Sequence, residues 1–433
     1  MRWFTDLSLI SGPVPVVVSA AGAVSALWLL AGRPHWFRYR VIPLAALGAA
    51  IGTGALWFCV ERIWRPLPDP IPMIVYAWAG VALFALLILV PRIVAATRPV
   101  TRAASVLAVI VVMLTCAVQV NVFFAAYPTV ETALGMEHLN RIDFAAVPPL
   151  IAAPVTGRPL DAVWTSPPSM PRDGAVTSDG IPGTRSSFRA RRADVYLPPA
   201  YFTDPRPQLP VLVLLAGQPG QPKDWFTGGR LATTMNTFAH GHDGLAPVVV
   251  VADATGSTWG NPLCVDSPLG NAATYLARDL PAWITAHLQV DPDPGSWAIG
   301  GLSLGGTCAL QMATNYPDIY PTFLDLSGDP EPTLGDHQQT LVAAFGGSQQ
   351  AFDEIDPMTL LAEHRYPNSA GVFLVGDHDH DLQPRLHTAC EAAAAAGMDV
   401  HYVEVPGAHN FGVWSRGLAT EMPWLSHRLG LTG

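Results

Sequence analysis

Charge is scarce in this sequence, and lysine is almost missing. Asp, Glu, Lys and Arg make up 13% of the 433 residues, about half the share of an ordinary soluble domain. Lys223 is the single lysine among 24 basic residues, which reads as compositional bias. Acid is nearly absent from the first third. Residues 1–127 hold nine arginines against Asp6, Glu61 and Asp69, a net of +6. The whole chain carries −10, so residues 128–433 carry −16. That acidic part lacks the basic face that phosphate backbones require, which excludes nucleic acid as a partner. No two of the five cysteines have C-x-x-C spacing, so no zinc or redox motif is present. Neither a metal nor a cofactor is expected.

What is abundant is apolar length. Mean hydropathy is +0.29, yet 41 prolines and 38 glycines are too many for a chain made mostly of membrane helix. Four apolar runs, over 14–32, 41–60, 73–90 and 103–127, each approach the roughly 20 residues that cross a bilayer. The first is read as retained and not as a cleaved leader, because three more spans follow it. No charged residue lies within the four runs. Since intramembrane charge marks ion and substrate paths, the bundle reads as an anchor, with lipid access through it as the alternative. Gly48 and Gly52 suit close helix packing. Cys59 and Cys116 are expected to face the bundle core.

Arginine placement sets the orientation. The loop after the first run has Arg33, Arg38 and Arg40, and the loop after the third has Arg92, Arg98 and Arg102. The middle loop has only Arg62 and Arg65, offset by Glu61 and Asp69. The basic loops belong in the cytoplasm. Four spans then leave both termini outside, in an integral protein of the plasma membrane with its acidic part extracytoplasmic. Residues 1–127 are therefore expected to be a transmembrane domain. Residues 128–184, rich in Pro, Gly, Ser and Ala without a period, read as a linker and lead-in. Residues 185–433 read as a catalytic domain.

From about Arg185 short apolar runs alternate with helical stretches, the pattern of a mostly parallel sheet with helices on both faces. Strands are expected over 193–197, 211–216, 248–252, 296–300, 322–326, 372–375 and 400–405, and helices over 272–287, 305–316 and 384–396. Within this pattern lies Gly301-Leu302-Ser303-Leu304-Gly305, a G-x-S-x-G elbow preceded by an apolar strand and followed by a helix. The chemistry demands that setting. A tight strand-to-helix turn lifts the serine hydroxyl above the sheet, and flanking glycines let strand and helix approach. A plain glycine-rich turn is the bland alternative.

A nucleophilic serine needs a base and an orienting acid, in the chain order Ser, acid, His. His409, in Pro406-Gly-Ala-His409, follows the last expected strand and is the candidate base. The acid comes from Gly376-Asp-His-Asp-His-Asp381. Asp379 is preferred, three residues past the strand-end glycine, with Asp377 and Asp381 as alternatives. The alternating Asp and His could also hold a metal, but only if the loop turned so that they converge. The oxyanion hole requires two backbone N–H groups. Leu304 supplies one and Gln218 the other, because Pro219 and Pro222 cannot donate. Trp225 is a weak candidate for the substrate pocket, with ordinary packing as its alternative. Cys264 and Cys308 both belong near this end of the sheet and are the first choice for a disulfide if the domain is exported. Three buried thiols, Cys390 included, remain the other possibility.

The residues Val195-Tyr-Leu-Pro-Pro-Ala-Tyr201, Leu214-Leu-Ala-Gly-Gln218, Gly301-Leu-Ser-Leu-Gly-Gly306, Tyr316-Pro-Asp318 with Leu326-Ser-Gly328, and Pro406-Gly-Ala-His409 together resemble the esterase family of α/β-hydrolases that includes esterase D, feruloyl esterases and the antigen 85 mycolyltransferases. The resemblance covers about 185–430. It implies an α/β-hydrolase fold behind the four-helix transmembrane bundle. It also implies Ser303 as nucleophile, His409 as base, Leu304 and Gln218 as oxyanion donors, and an acyl-enzyme. The implied substrate is an ester or acyl-lipid of the cell envelope, and the acyl acceptor is water, a sugar or glycerol. The alternative from another class is a non-catalytic membrane-anchored binding or scaffold protein that kept the fold.

Overall fold

A computed structural model describes residues 2–32, 34–137 and 139–433. It forms two compact units, Met1–Glu137 and His138–Gly433.

The first unit has four helices long and apolar enough to cross a membrane: α1 Pro13–Leu30, α2 Phe37–Trp64, α3 Met73–Val94 and α4 Pro99–Phe124. α1 and α4 both begin on a proline, whose missing N–H costs nothing in a first turn. α1 packs on α4, α4 on α3, and α3 on α2. Between α1 and α4, Thr115 Oγ1 donates to Val18 O at 3.1 Å and Gln119 Nε2 to Ser19 Oγ at 2.7 Å. Gly48 and Gly52 do meet a neighbouring helix: a Cβ at Gly52 would stand 2.7 Å from Leu83 Cδ2. Val16, Val24, Leu44, Leu47, Ile51 and Leu107 face outward, an apolar outer surface that water disfavours and lipid tolerates.

The helices run past the apolar runs and take in charge at their ends. α2 carries Arg38 and Arg40 in its first turns and Glu61 and Arg62 in its last, and α3 holds Arg92 in its last turn. Arg92 is 6% exposed. Its Nη2 donates to Trp28 O at 3.2 Å, and its guanidinium lies over the Trp28 and Phe37 rings. Arg33, counted in the first basic loop, lies outside the described residues. Cys116 is buried, but Cys59 is exposed, against expectation. An apolar residue on such a helix is satisfied equally by lipid and by protein, so an apolar run does not say which face is inward.

The second unit is built on an eight-stranded sheet: β1 Ala175–Asp179, β2 Ala193–Leu197, β3 Val211–Leu215, β4 Val248–Ala252, β5 Trp297–Leu302, β6 Thr322–Leu326, β7 Ala370–Gly376 and β8 Asp399–Val405. The order is β1-β2-β4-β3-β5-β6-β7-β8. Only the β1–β2 and β2–β4 pairs are antiparallel. β3 (VLVLL) and β4 (VVVVA) are buried throughout, as expected of central strands covered by helices on both faces.

β1 was not expected. It lies in the stretch read as linker and pairs along all five residues with β2. Leu160 and Trp164 from the same stretch are buried in the main core. These anchors sit singly among prolines and loops, so they leave no periodic trace. Between β6 and β7 three short helices, His337–Phe345, Gln349–Asp353 and Pro357–Glu363, form an insertion. Ala344 from it joins Leu263 and Val265 in a small apolar cluster separate from the main core.

Six parallel strands bring their carboxyl ends to one edge, with Leu215 of β3 beside Ala252 of β4. Leu215 pairs with Gly301, Leu302 with Leu326, Leu326 with Leu374, and Gly376 with Val405. Every candidate catalytic loop leaves from this edge.

Candidate active site

Ser303 stands between β5 and the helix Leu304–Asn315, with φ 53° and ψ −124°. Positive φ is costly for a residue with a Cβ, so something must hold it there. Its N–H donates to Leu326 O of β6 at 2.9 Å, and its carbonyl accepts from Gly306 at 2.7 Å. The turn also depends on glycine. A Cβ on Gly305 would lie 2.4 Å from Leu215 O, and one on Gly301 2.2 Å from Gly305 C. Gly305→Ala is expected to cost about 3 kcal/mol or more, since neighbouring backbone has to move. A thermal melt checks this; an unshifted midpoint would contradict it.

The candidate base and one of the candidate acids meet. His409 Nδ1 lies 2.9 Å from Asp379 Oδ2. With Nδ1 as donor to the carboxylate, Nε2 is left as the acceptor. His409 precedes Asn410, whose side chain accepts from Val413 N and caps the helix Phe411–Arg428. Trp414, one turn into that helix, packs edge-on to the imidazole at 5.0 Å. Asp379 is held from its own side. Its N–H donates to Gly376 O, and its carbonyl accepts from Leu382 and Gln383.

The other two aspartates are engaged elsewhere. Asp377 Oδ1 accepts from Gly407 N at 2.8 Å and pairs with His378, so it ties the acid loop to the histidine loop. Asp381 is exposed, and its carbonyl accepts from Arg385 Nε. Among the described residues Ser303 Oγ makes no hydrogen bond. Such contacts often tighten only when substrate binds.

The two expected oxyanion donors come from adjacent segments. Leu304 is the first residue of the elbow helix, so its N–H has no partner within the helix. Gly217, just before Gln218, sits so close to the elbow that a Cβ there would be 3.1 Å from Ser303 Cβ. For Trp225 the structure favours the packing alternative over the pocket. The side chain is 0% exposed and its Nε1 donates to Leu215 O at 2.9 Å. It braces the last residue of β3 and is not exposed at the surface. Cys264 and Cys308 are disulfide-bonded, with Cα atoms 5.6 Å apart, and Cys390 is free.

The model of the family described as “Putative esterase” matches residues 186–425. The chain belongs to this esterase family. It is a carboxylic-ester hydrolase or acyltransferase. An uncharacterized protein of Corynebacterium glutamicum is 38% identical over 99% of both chains, the N-terminal unit included. The diacylglycerol acyltransferase/mycolyltransferase Ag85A of Mycobacterium gordonae is 30% identical over 154 residues, 34% of this chain and 44% of that protein. A solved ferulic acid esterase shares 19% identity, with a TM-score of 0.52 over 59% of this chain and 98% of its own. It is a likeness of fold.

This esterase-family chain also has a buried acid beneath the elbow that sequence reading passed over. Asp325 on β6 is fully buried. Its Oδ1 accepts from Gly328 N at 2.6 Å, and a Cβ on Gly306 would be 2.4 Å from that same oxygen. Burial pushes its carboxyl from 3.8 up to about 8; the Gly328 N–H opposes this and the charge of Asp329 adds to it. The native state therefore keeps a proton that the unfolded chain gives up near pH 4. Wild-type stability falls as pH rises from there to about 8, by at most about 1.4 kcal/mol per pH unit from this group. Asp325→Asn does not titrate, so its melting advantage over wild type should grow from pH 5 to pH 8 and then level off. Melts at pH 5, 7 and 9 test this; a constant difference would refute it. Only the carboxylate's surroundings reveal it, since an Asp inside an apolar strand has no motif.

Proposed function

We propose that the second unit is a membrane-anchored, extracytoplasmic serine esterase or acyltransferase in which Ser303, His409 and Asp379 form the triad. The observation that carries this reading is the 2.9 Å His409–Asp379 contact at the same sheet edge as the positive-φ serine elbow. His409 Nε2 takes the Ser303 proton as Oγ attacks an ester carbonyl. The oxyanion is stabilised by the Leu304 and Gln218 N–H groups. The C–O bond to the alcohol breaks, and the alcohol leaves with the proton from His409. Water or a second alcohol, activated by His409 in turn, then takes the acyl group from Ser303. Asp379 holds the imidazole in the needed tautomer and offsets the charge of the imidazolium.

The substrate class is an ester or acyl-lipid of the cell envelope, and the acceptor a sugar or glycerol hydroxyl. The Mycobacterium gordonae relative is a diacylglycerol acyltransferase/mycolyltransferase, which supports transfer over hydrolysis. Incubation with a short acyl ester plus trehalose or glycerol should yield the acylated acceptor; free acid alone would favour hydrolysis. The arginine bias of the loops supports the outside placement. Alkaline phosphatase fused after Gly433 should be active, and an inactive fusion would overturn that topology.

A further inference from the structure

The segment that follows β4 runs from one side of the proposed oxyanion hole to the other. Its near end is fixed by Arg191, whose guanidinium pairs with Asp253 at 2.7 Å and donates to Thr255 Oγ1 at 2.8 Å. Its middle touches the loop after β3. Gln218 Nε2 donates to Trp259 O at 2.9 Å, and Gly220 N to Thr258 O at 3.1 Å. Its far end is fixed to the elbow helix. Cys264 is disulfide-bonded to Cys308, which lies five residues after Ser303 on that helix, and Gln311 Nε2 from the next turn donates to Cys264 O at 3.2 Å. Leu263 and Cys264 both have positive φ, 61° and 53°. Two adjacent non-glycine residues in that region persist only where the surroundings hold them. Both cysteines are 1% exposed.

These bonds close a circuit. From Leu304 it runs along the helix to Cys308, across to Cys264, back along the segment to Trp259, and through the amide of Gln218 to the Gln218 backbone. The two ends of the circuit are the two proposed oxyanion donors. We propose that the Cys264–Cys308 disulfide is a positioning element of the oxyanion hole, which sets the spacing of the Leu304 and Gln218 N–H groups through the Trp259–Gln218 hydrogen bond. This rests on the triad and oxyanion reading above. It also makes full activity depend on oxidation of this pair, a condition met outside the cytoplasm.

Such an element acts on the transition state and hardly on substrate binding. A donor displaced by about 1 Å can cost roughly 100-fold in rate. Cys264→Ala/Cys308→Ala should therefore lower kcat for a p-nitrophenyl ester by about 10- to 100-fold with KM nearly unchanged. Gln218→Met, which removes the amide donor and leaves the disulfide in place, should lower kcat in the same way. Because both break one circuit, the triple variant should be no worse than the more impaired of the two. A folded cysteine variant with wild-type kcat, a Gln218→Met variant with wild-type kcat, or effects that multiply would each overturn the proposal. If the cysteine variant does not fold, Gln218→Met alone decides, by the same kcat loss at constant KM. An active wild type with unaffected variants would sink this proposal and leave the triad standing. A wild type that neither turns over ester nor labels at Ser303 would sink both.

Discussion

Replacing Ser303 by alanine should lower kcat/KM for a short acyl ester by about 10⁴- to 10⁶-fold, with the fold intact. The size follows from what the residue does in the proposed reaction. Without Oγ no acyl-enzyme forms, and only the oxyanion donors and substrate binding remain to accelerate hydrolysis by water. The fold should survive because the elbow is held by its backbone: Ser303 N to Leu326 O, and Gly306 to Ser303 O. The hydroxyl makes none of these bonds. Alanine keeps the Cβ already accommodated at φ 53°. Steady-state kinetics and a thermal melt on the same preparation test both halves. An alanine variant within tenfold of wild type would mean that another nucleophile carries the reaction.

The second large effect separates the aspartates. Asp379→Asn should drop kcat by about 10⁴-fold, since an amide facing Nδ1 favours the wrong imidazole tautomer and does not offset the imidazolium charge. Asp377→Asn should leave kcat within a few-fold of wild type. Its carboxylate bonds to Gly407 N, and an amide oxygen can still accept there. Asp381→Asn should do less still, because that side chain is exposed. If Asp377→Asn were the damaging change, the contact between His409 and Asp379 would not be the working one.

The contrast between these aspartates shows what the sequence could and could not reveal. The elbow was legible because its signal is local: two glycines around a serine, a strand before and a helix after. The place of His409 just after the last strand, which makes it the candidate base, was legible in the same way. The candidate acids were narrowed to three neighbours, and preferring one of them requires knowing that Asp377 reaches across to Gly407 while Asp379 faces the imidazole. That depends on how two loops distant in sequence cross. Trp225 was left between two readings for a similar reason. A tryptophan beside the oxyanion loop can line a pocket or brace the strand beneath it, and the Leu215 carbonyl decides for bracing. β1 and the Leu160 and Trp164 anchors were hidden because isolated apolar residues among prolines have no period. Asp325 and the circuit through Gln218, Trp259 and Cys264 are long-range by nature. Their partners are set by the packing of β6 and of the segment after β4 against the elbow helix, which no local pattern encodes.

The central claim is that Ser303 is an activated nucleophile. A fluorophosphonate probe reports this directly, because it bonds to a serine whose proton has a base to go to. Wild-type protein should gain one covalent adduct, located at Ser303 by peptide mass, and Ser303→Ala should gain none. His409→Ala should label far more slowly. No adduct on the folded wild-type protein, or equal labelling of Ser303→Ala, would contradict the account.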